Sequence, residues 1–597
     1  MEPEIVIALD IGSSYSGYAY QFSSDFKENP RDIWMSDSWG SSNNTHKTST
    51  CVLLRGKTLE RIAIGEDAER EYLRLCDTGE EFEYHFFKNF KMVLYRKDFR
   101  TDEKPKNPKH QAEDYGGRHK PFTSVMSKFI EGLKEDCLER FDRYEGERKA
   151  LEDGKDHTTD VERERKIDEK KIRWVITVPA IWNDFAKDAM RKSAVLAGIP
   201  DDQLIIALEP EAAVVHCMYL SPQEKTYMRE LGSVGDKFMV VDMGGGTVDI
   251  TAVEVLENGH LKQIMIANGG PWGGQSVNDS FSQLVRDIFI TKDGPSSLGS
   301  CKRADLFEME LVFEKQKIAI RRKKKQDIGW IKLPLPDDVW SNEKDKIIKD
   351  DGHKYSRYFD KTKNGLHFKP AIISEILFNE PMKVILDYLH SILNDETTQG
   401  IEKVILVGGL AESHIVQTKI SEALRPRRIL VPSNPFYAVL KGAVLYGQKP
   451  AIFDSRISRF TYGINTCIPF DPEKHQQEKK KVDSSGEIWC KDAFSIHVKR
   501  NQIVSLNEEQ PAKVYQPFEK DQTCIACDIY QTESLNPTYV TEKGCKKIGS
   551  LVVEMPDLTE ATERNALVTM VYGGTELKVK GIDITTGKEF KTTIVYD

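Results

Sequence analysis

Short apolar runs that end in glycine recur along this chain of 597 residues. The run at residues 238–241 leads into a turn with three consecutive glycines, and an alternating apolar and polar segment follows at 250–255. The pattern predicts two strands joined by a hairpin, with Asp242 before the turn and Asp249 after it. Backbone N–H groups of such a turn can close around an anion such as a phosphate. Two carboxylates beside a phosphate are typical of a Mg²⁺ site. For this segment alone, the alternative is a tight hairpin whose acidic side chains are solvated.

The same arrangement occurs near the N-terminus. Residues 5–9 have the pattern of a buried strand, which Asp10 closes, and a glycine and two serines follow at residues 12–14. The serine hydroxyl groups can donate hydrogen bonds to phosphate oxygens. A third apolar run, at residues 404–407, ends in paired glycines. Three strand-to-glycine turns, two of them with acids, predict a nucleotide bound between duplicated lobes.

The order and spacing of five segments resemble the ATPase domain of the 70-kDa heat-shock protein family, within the actin, hexokinase and sugar-kinase superfamily. These segments are residues 10–14, 177–180, 209–213, 242–249 and 407–409. Residues 173–182 and 205–213 resemble the divergent 12A and 12B branch of that family in particular. The resemblance implies an α/β fold with a duplicated two-lobe, actin-like ATPase domain at residues 1–450. A β-sandwich that binds partner proteins would follow at residues 451–597.

The resemblance also implies ATP or ADP and Mg²⁺ as ligands. At the matching positions, Asp10 and Asp249 would hold Mg²⁺ through water, and Asp242 would orient the attacking water. Lys91 and Glu209 would assist catalysis. The positions that match nucleotide contacts of the family are Gly12, Ser13, Ser14, Gly244, Gly245, Gly246, Thr247, Gly273, Gly274, Glu314, Lys317, Gly408 and Gly409.

Some of these assignments have a simpler alternative. Lys88 and Lys91 lie among the aromatic residues of segment 86–92, where a lysine usually covers apolar surface and keeps its ammonium group in water. The resemblance favours Lys91 as the catalytic lysine, with Lys88 as the alternate. Glu314 and Lys317 lie three residues apart in a predicted helix, so an exposed ion pair is the default interpretation.

The chain departs from the family around the base and in the segment that leads to the second domain. Gln275 replaces an acid, Leu208 replaces an asparagine, and Glu412 replaces an arginine that stacks on adenine in the family. Lys187 replaces an arginine in the helix after Pro179, the switch proline of the family. These differences predict altered adenine recognition, whereas the residues for phosphate and Mg²⁺ are intact.

Composition and charge narrow the classes of function. A net charge of −9 at pH 7 provides no basic surface for nucleic acid. The first residues lack a signal-peptide pattern, and no apolar segment approaches the roughly 20 residues of a membrane-spanning helix. Ten cysteines in a chain of this size indicate reduced thiols. We therefore expect a cytoplasmic protein. The basic run at residues 321–325 is compatible with nuclear import or an acidic partner, although a solvated helix end explains it more simply.

Cys524 and Cys527 form a C-x-x-C pair, a spacing that can hold a metal or form a redox disulfide. They fall in a predicted strand at residues 523–530, where side chains three residues apart face opposite sides. The sequence has no second C-x-x-C pair to complete a zinc site. Packed strand cysteines are therefore the favoured interpretation.

Polar and charged segments interrupt the predicted ATPase domain. Residues 38–50 are rich in serine, asparagine and threonine, which predicts a solvated turn region. Residues 97–120 and 140–171 are dense in charges of both signs, and a helix is predicted between them at residues 122–141. We expect the two charged stretches to form solvated helix extensions or inserts.

From about residue 459 the chain has the pattern of half-buried strands between polar turns. These strands are predicted at residues 461–464, 494–498, 523–530, 549–554 and 576–580. They predict a β-sandwich, which resembles the peptide-binding domain of the family, where an extended peptide is held by main-chain hydrogen bonds and apolar pockets. The sequence ends at Asp597, so we expect no helical lid, and residues 448–458 lack the leucine-rich linker of the family.

Two classes of function follow from these predictions. The first is a chaperone-like ATPase that binds client or partner proteins through its β-domain. The second is a nucleotide-gated adaptor with little or no ATP turnover. A sugar kinase fits less well, because it would not need a C-terminal β-sandwich. The sequence identifies no client protein and no co-chaperone.

Overall fold

A computed structural model describes most of the chain. The described residues are 2–36, 39, 45–95, 111–152, 168–221, 223–224, 231–289, 303–323, 327–333, 355–362, 365–519, 522–555, 564–573 and 576–593. Large parts of the two charged stretches lie outside these ranges, as do residues 324 and 325 of the basic run.

The predicted helix at residues 122–141 begins at residue 122 but continues to residue 152, into the second charged stretch, and the described residues contain further helices. Their bounds are α1 Ser23–Glu28, α2 Gly65–Thr78, α3 Phe122–Glu152, α4 Asp184–Leu196, α5 Glu209–Met218, α6 Gly274–Phe289, α7 Arg303–Ile320, α8 Asn379–Leu393, α9 His414–Ala423 and α10 Ala438–Gln448. The N-cap of α4 is Asn183, whose side-chain oxygen accepts a hydrogen bond from the backbone N–H of Ala186 at 2.9 Å. Over the described ranges, every helix is too short or too polar to cross a membrane.

The strands fall into two groups along the chain. Up to residue 450 they are β1 Ile5–Ile11, β2 Tyr15–Phe22, β3 Trp34–Met35, β4 Thr48–Ser49, β5 Cys51–Arg55, β6 Glu60–Ile64, β7 Tyr84–Lys88, β8 Gln111–Glu113, β9 His119–Pro121, β10 Ile172–Val178, β11 Leu204–Leu208, β12 Lys237–Met243, β13 Val248–Val255, β14 Leu261–Gln263, β15 Asn268–Gly270, β16 Ile331–Leu333, β17 Phe359–Thr362, β18 Gly365–Phe368, β19 Lys403–Val407 and β20 Arg428–Leu430. Beyond it they are β21 Phe453–Ile457, β22 Thr461–Pro469, β23 Lys480–Val482, β24 Ile488–Val498, β25 Ile503–Ser505, β26 Lys513–Tyr515, β27 Cys524–Thr532, β28 Lys546–Glu554, β29 Ala566–Gly573, β30 Glu576–Asp583 and β31 Glu589–Thr593.

Two central sheets repeat one strand order. The first sheet runs β11-β10-β1-β2-β3, and the second runs β20-β19-β12-β13-β14. In both sheets the first three strands are parallel and the fourth is antiparallel to the third. Asp10 and Asp242 occupy the same place, one residue before the end of the third strand, in β1 and β12. The two acid-bearing turns are therefore at equivalent positions in the two sheets.

The helices α5 and α10 lie between the two sheets and share one hydrophobic core with both. That core contains Val6 and Val175 from the first sheet and Val240 and Ile405 from the second. A Cβ atom at Gly442 of α10 would lie only 1.7 Å from the carbonyl oxygen of Ala212 in α5, so only glycine allows this close approach. This packing fixes the position of α5, which begins at Glu209.

The C-terminal residues form two further sheets that share a hydrophobic cluster. Their strand orders are β23-β24-β22-β27-β28 and β26-β29-β30-β31. The predicted strand with the C-x-x-C pair is β27, in which Cys527 is buried, Cys524 is only partly buried and both are free thiols. The strand β21 does not join either sheet. It pairs with β14 and β25 and so extends the second central sheet.

The prediction of a solvated turn at residues 38–50 is wrong for its described end. Residues 48 and 49 form β4, which pairs with β2, and Lys47, Thr48 and Thr50 are buried. Burial is possible because the polar groups have partners: the Thr50 hydroxyl group is 2.7 Å from that of Ser16 and 2.8 Å from the carbonyl oxygen of Gly12.

One aromatic side chain joins α7 to the sheet of β5, β6 and β7. Phe307 of α7 is fully buried against Phe86, Tyr72 and Tyr115, with ring centroids 5.1, 5.8 and 5.2 Å away. Further along the same helix, Phe313 stacks on Phe281 of α6 at 3.8 Å. The helix α7 thus packs against elements that precede and follow the glycine hairpin in the chain.

We predict that Phe307→Ala lowers the free energy of unfolding by roughly 3–5 kcal/mol, because it leaves a cavity among the aromatic rings. Phe82→Ala is a matched control, since Phe82 is 77% exposed and its loss should change stability by less than about 0.5 kcal/mol. Urea denaturation of the two variants and the wild type measures both effects. Equal midpoints for the two variants would contradict the packing described for Phe307.

Candidate functional site

The three strand-to-glycine turns meet at one cleft. A Cβ atom at Gly245 would lie 2.4 Å from the hydroxyl oxygen of Ser14, and one at Gly246 would lie 2.3 Å from that of Ser13. The turn at residues 12–14 and the glycine hairpin therefore face each other at a distance that only glycine permits. At Gly408, where φ is +88°, a Cβ atom would lie 2.5 Å from a carboxylate oxygen of Asp242.

Most of the predicted site residues line this cleft. The predicted residues on its wall are Asp10, Gly12, Ser13, Ser14, Lys91, Glu209, Asp242, Gly244, Gly245, Gly246, Thr247, Gly274, Glu314, Lys317, Gly408 and Gly409. Gly273 lies directly behind the hairpin, and its backbone N–H donates to the carbonyl oxygen of Gly246 at 3.2 Å. Asp249 is buried beside them and pairs in register with Asp242 across the hairpin.

Lys91 points into the site. It is 1% exposed, its ammonium nitrogen lies 2.7 Å from Oε1 of Glu209, and it lies 5.0 Å from the ring centroid of Trp182. The interpretation of this lysine as solvated cover is therefore wrong, because a carboxylate and an aromatic face replace water around the charge. Lys88 instead lies over the ring of Phe307 at 4.9 Å, outside the cleft.

Asp10 is held by Lys47, a residue that the sequence pattern did not identify. The ammonium group of Lys47 donates to Oδ2 of Asp10 at 2.6 Å, and the hydroxyl group of Thr177 donates to Oδ1 at 2.7 Å. Burial alone would raise the pKa of Asp10, but the charge and hydrogen bond of Lys47 hold this pKa below its usual value. Asp10 is therefore ionised in the folded protein at neutral pH.

The pKa values of the other three carboxyl groups at the cleft are raised, whereas that of Asp10 is lowered. Burial raises the pKa of Glu209, Asp242 and Asp249, and the neighbouring carboxylates raise those of Glu209 and Asp242 further. With Asp10 there are four buried carboxyl groups against two ammonium groups, those of Lys47 and Lys91. When all are ionised, the site carries an excess of negative charge that favours a bound cation.

The donor set fits a cation held through water. One carboxylate oxygen of Asp249 accepts from the backbone N–H of Ile181 at 3.2 Å, and the other is buried without a hydrogen-bond partner. Within the described ranges, no group of three histidine, cysteine, aspartate or glutamate side chains is arranged to hold a metal ion directly. The unpartnered oxygen of Asp249 and the charge of Asp10 suit Mg²⁺, which keeps several of its water ligands in protein sites.

Glu314 and Lys317 form a half-buried pair on the side of the cleft made by α7. Their charged atoms are 2.7 Å apart, and Asn278 bridges them, donating to Glu314 at 2.8 Å and accepting from Lys317 at 2.7 Å. Burial raises the pKa of Glu314, but Lys317 outweighs it and holds this pKa below the usual value. The default interpretation as a solvent-exposed ion pair is wrong, since α6 covers the pair.

Glu412, which stands where the family has an adenine-stacking arginine, binds two arginines in this fold. Its carboxylate oxygens lie 2.6 Å from Arg321 and 2.5 Å from Arg322. Arg321 lines the cleft and lies 5.3 Å from the ring centroid of Phe436. The prediction of a solvated helix end is therefore wrong for Arg321. The pairing of a buried acid with this basic run could not be read from the sequence, because 90 residues separate them.

Comparison with known proteins agrees with this geometry. The family model described as Hsp70 protein matches residues 159–330. Human heat shock 70 kDa protein 12B is 30% identical over an alignment that covers 99% of this chain and 90% of that protein. Human heat shock 70 kDa protein 12A is 28% identical, with coverage of 99% and 91%. The chaperone protein DnaK of Mycoplasmoides gallisepticum is 23% identical over 72% of this chain and 63% of that protein.

The mixed α/β fold and its cleft of acids and glycine turns agree with the class of heat-shock proteins that bind nucleotides. The chain belongs to the Hsp70 protein family. Its similarity to the 12A and 12B proteins along nearly its whole length confirms the predicted resemblance to that divergent branch.

We predict that Asp242→Asn stabilises the ligand-free protein at pH 8 and has a smaller effect at pH 5. The folded pKa of Asp242 lies above its unfolded value, so wild-type stability falls as pH rises from about 4 through the folded pKa. Asparagine has no carboxyl proton to titrate, so the variant does not lose the stability that the wild type loses at this residue as the pH rises. Each tenfold change in the proton affinity of the carboxyl group on folding corresponds to about 1.4 kcal/mol of stability.

Urea denaturation across a pH series in EDTA measures this difference. The control is Asp202→Asn, because Asp202 is exposed and lies in the 3₁₀ turn just before β11, outside the cleft. Parallel stability profiles for the wild type and Asp242→Asn would contradict the electrostatic account of the cleft.

Proposed function

We propose that this chain is an ATP-binding, chaperone-like protein that hydrolyses ATP slowly with Mg²⁺ and couples nucleotide state to protein or peptide binding. The observation that carries the proposal is the contact between the serine turn at residues 12–14 and the glycine hairpin at residues 244–246, beside four buried carboxyl groups. Membership of the Hsp70 family supports the nucleotide and the chaperone-like role.

The proposal includes a duplicated two-lobe, actin-like ATPase domain at residues 1–450 and a β-sandwich at residues 451–597. The repeated strand order of the two central sheets supports the duplication. The single hydrophobic cluster between the two C-terminal sheets supports the sandwich. The pairing of β21 with β14 means that the chain remains attached to the second central sheet for several residues beyond the proposed boundary.

The chemistry would be in-line attack of water on the γ-phosphate, promoted by positioning and by charge. Phosphate oxygens would accept hydrogen bonds from the serine turn and the glycine hairpin, and Asp10 and Asp249 would hold Mg²⁺ through its water ligands. Bound Mg²⁺ would neutralise charge on the phosphates. The raised pKa of Asp242 suits a group that accepts a hydrogen bond from the attacking water. Lys91, held by Glu209, would stabilise the charge that develops on the γ-phosphate.

The ribose and base would lie against α7 and the turn at residues 408–409. Glu314 and Lys317, which form an ion pair beside the cleft, would hydrogen-bond the ribose, as expected from the family. The guanidinium group of Arg321 is near the position proposed for the base, and Glu412 orients it. In this arrangement, the planar guanidinium group of Arg321 would replace the family's arginine, whose position Glu412 occupies. Adenine recognition would then use a different segment of the chain.

Coupling to the C-terminal sheets would pass through α4 and α5. Arg456 of β21 forms a buried ion pair with Glu211, with Nε 2.9 Å from Oε1. Glu211 is two residues beyond Glu209, which holds Lys91 in the cleft. On α4, Arg191 lies 2.6 Å from Glu576 of β30. A partner that shifts the C-terminal sheets would therefore pull directly on α4, and would act on α5, which carries Glu209, through β21, the strand that precedes those sheets in the chain. The cytoplasmic location stays a prediction from the sequence.

A nucleotide-gated adaptor without turnover is the second candidate. The ammonium group of Lys47 occupies an oxygen of Asp10, and the base side of the cleft is altered at Glu412. Both features favour binding over hydrolysis, whereas the intact set of Asp242, Lys91 and Glu209 favours turnover. Single-turnover kinetics separates the two candidates.

We predict slow ATP hydrolysis by the wild type in a single-turnover assay with Mg²⁺, and a loss of at least about 100-fold in Asp242→Asn. The variant should still bind ADP with Mg²⁺, because Asp242 orients water and is not needed to hold the diphosphate. Asp202→Asn should keep the wild-type rate and affinity.

Tight binding of ATP without turnover by the wild type would support the adaptor. Calorimetry that detects no binding of Mg·ATP at millimolar concentration to the folded wild type would contradict the nucleotide site itself.

A further inference from the structure

Lys47 places a fixed positive charge in the cleft. The residue is 5% exposed, and its ammonium group contacts Asp10 at 2.6 Å and the carbonyl oxygen of Phe436 at 3.1 Å. It also lies 4.6 Å from the centroid of the Phe436 ring. These groups come from distant parts of the chain, so the charge is held in place by the tertiary structure.

The surroundings of Lys47 differ from those of an ordinary surface ion pair. Taking an ammonium group out of water is costly unless a carboxylate and further acceptors replace the water. Here both partners are nearly buried, and the contacts with Phe436 complete the shell around the ammonium group. Such a pair is geometrically restrained, unlike a mobile surface lysine that any solution ion can replace.

The position of Lys47 makes it more than a structural partner of Asp10. It lines the same cleft as the serine turn and the glycine hairpin, which form the proposed phosphate site. The other ammonium group that lines the cleft beside the acids, that of Lys91, is engaged by Glu209. Lys47 is therefore the cation in direct contact with Asp10, the carboxylate proposed to hold Mg²⁺ through water.

We propose that Lys47 is a tethered cation of the nucleotide site, which supplies at Asp10 part of the positive charge that Mg²⁺ would otherwise bring to the phosphates. This inference rests on the proposed nucleotide site. Its consequence is that nucleotide binding depends only weakly on Mg²⁺. A phosphate that enters the cleft meets an ammonium group already in place, and Mg²⁺ must share Asp10 with that group.

The test compares the dissociation constant of ADP in EDTA with that in excess Mg²⁺, measured by calorimetry on the full chain. The ratio of interest is the dissociation constant in EDTA divided by that in Mg²⁺. In Lys47→Gln this ratio should rise at least about tenfold over the wild-type ratio. Loss of the resident cation weakens binding without metal, and loss of a competing cation at Asp10 strengthens the contribution of Mg²⁺. Both changes raise the ratio.

Three further variants separate charge from shape. Lys47→Met removes the hydrogen bond as well as the charge and should give the same increase, so either neutral variant carries the test if the other fails to fold. Lys47→Arg keeps a positive charge and should keep the ratio close to that of the wild type. Lys57→Met is the matched control, because Lys57 is exposed in the turn between β5 and β6.

The outcomes are distinct for the two proposals. A ratio that stays unchanged in Lys47→Gln and Lys47→Met, in folded proteins that bind ADP, would overturn the role of Lys47 and leave the nucleotide site standing. A wild-type protein that binds no ADP with or without Mg²⁺ would overturn the nucleotide site, and the inference about Lys47 with it.

Discussion

Buried charge is the constraint on which this structure depends. Asp10, Glu209, Asp242 and Asp249 are all buried at one point between two sheets, where unpaired carboxylates are strongly disfavoured. Lys47 and Lys91 offset part of that cost, and raised pKa values of three of the acids show that repulsion and desolvation remain. A bound cation, with the anion that accompanies it, would reduce the repulsion among these carboxylates.

Close backbone packing makes the arrangement possible. Gly245 and Gly246 let the hairpin approach the serine turn, and Gly442 lets α10 lie directly against α5. Because α5 begins at Glu209 and also carries Glu211, one helix connects the cleft to Arg456 in β21. A buried ion pair thus joins the helix that begins at the cleft to β21, the strand that precedes the C-terminal sheets.

Much of the fold could be predicted from local patterns. The strands around Asp10 and Asp242, the strand at residues 404–407 and the start of α3 at residue 122 all agree with the structure, because burial periodicity is a local property. Short strands such as β21 and β26 escaped prediction, since three to five residues carry too little periodicity. Lys47 and Arg321 were assigned to solvated segments for a related reason. Composition indicates how polar a segment is, but not which partners will surround it.

The sequence by itself determined the class of site: acids at strand ends, glycine turns beside them, and the order of motifs that identified the Hsp70 family. The tertiary structure decided which charges meet. It paired Lys91 with Glu209 and set Lys88 over the ring of Phe307. It also placed Lys47 on Asp10 and paired Glu412 with Arg321. The physical reason is that the energy of a buried charge depends on groups from distant segments. Phe436, which completes the shell around Lys47, lies 389 residues away in the chain.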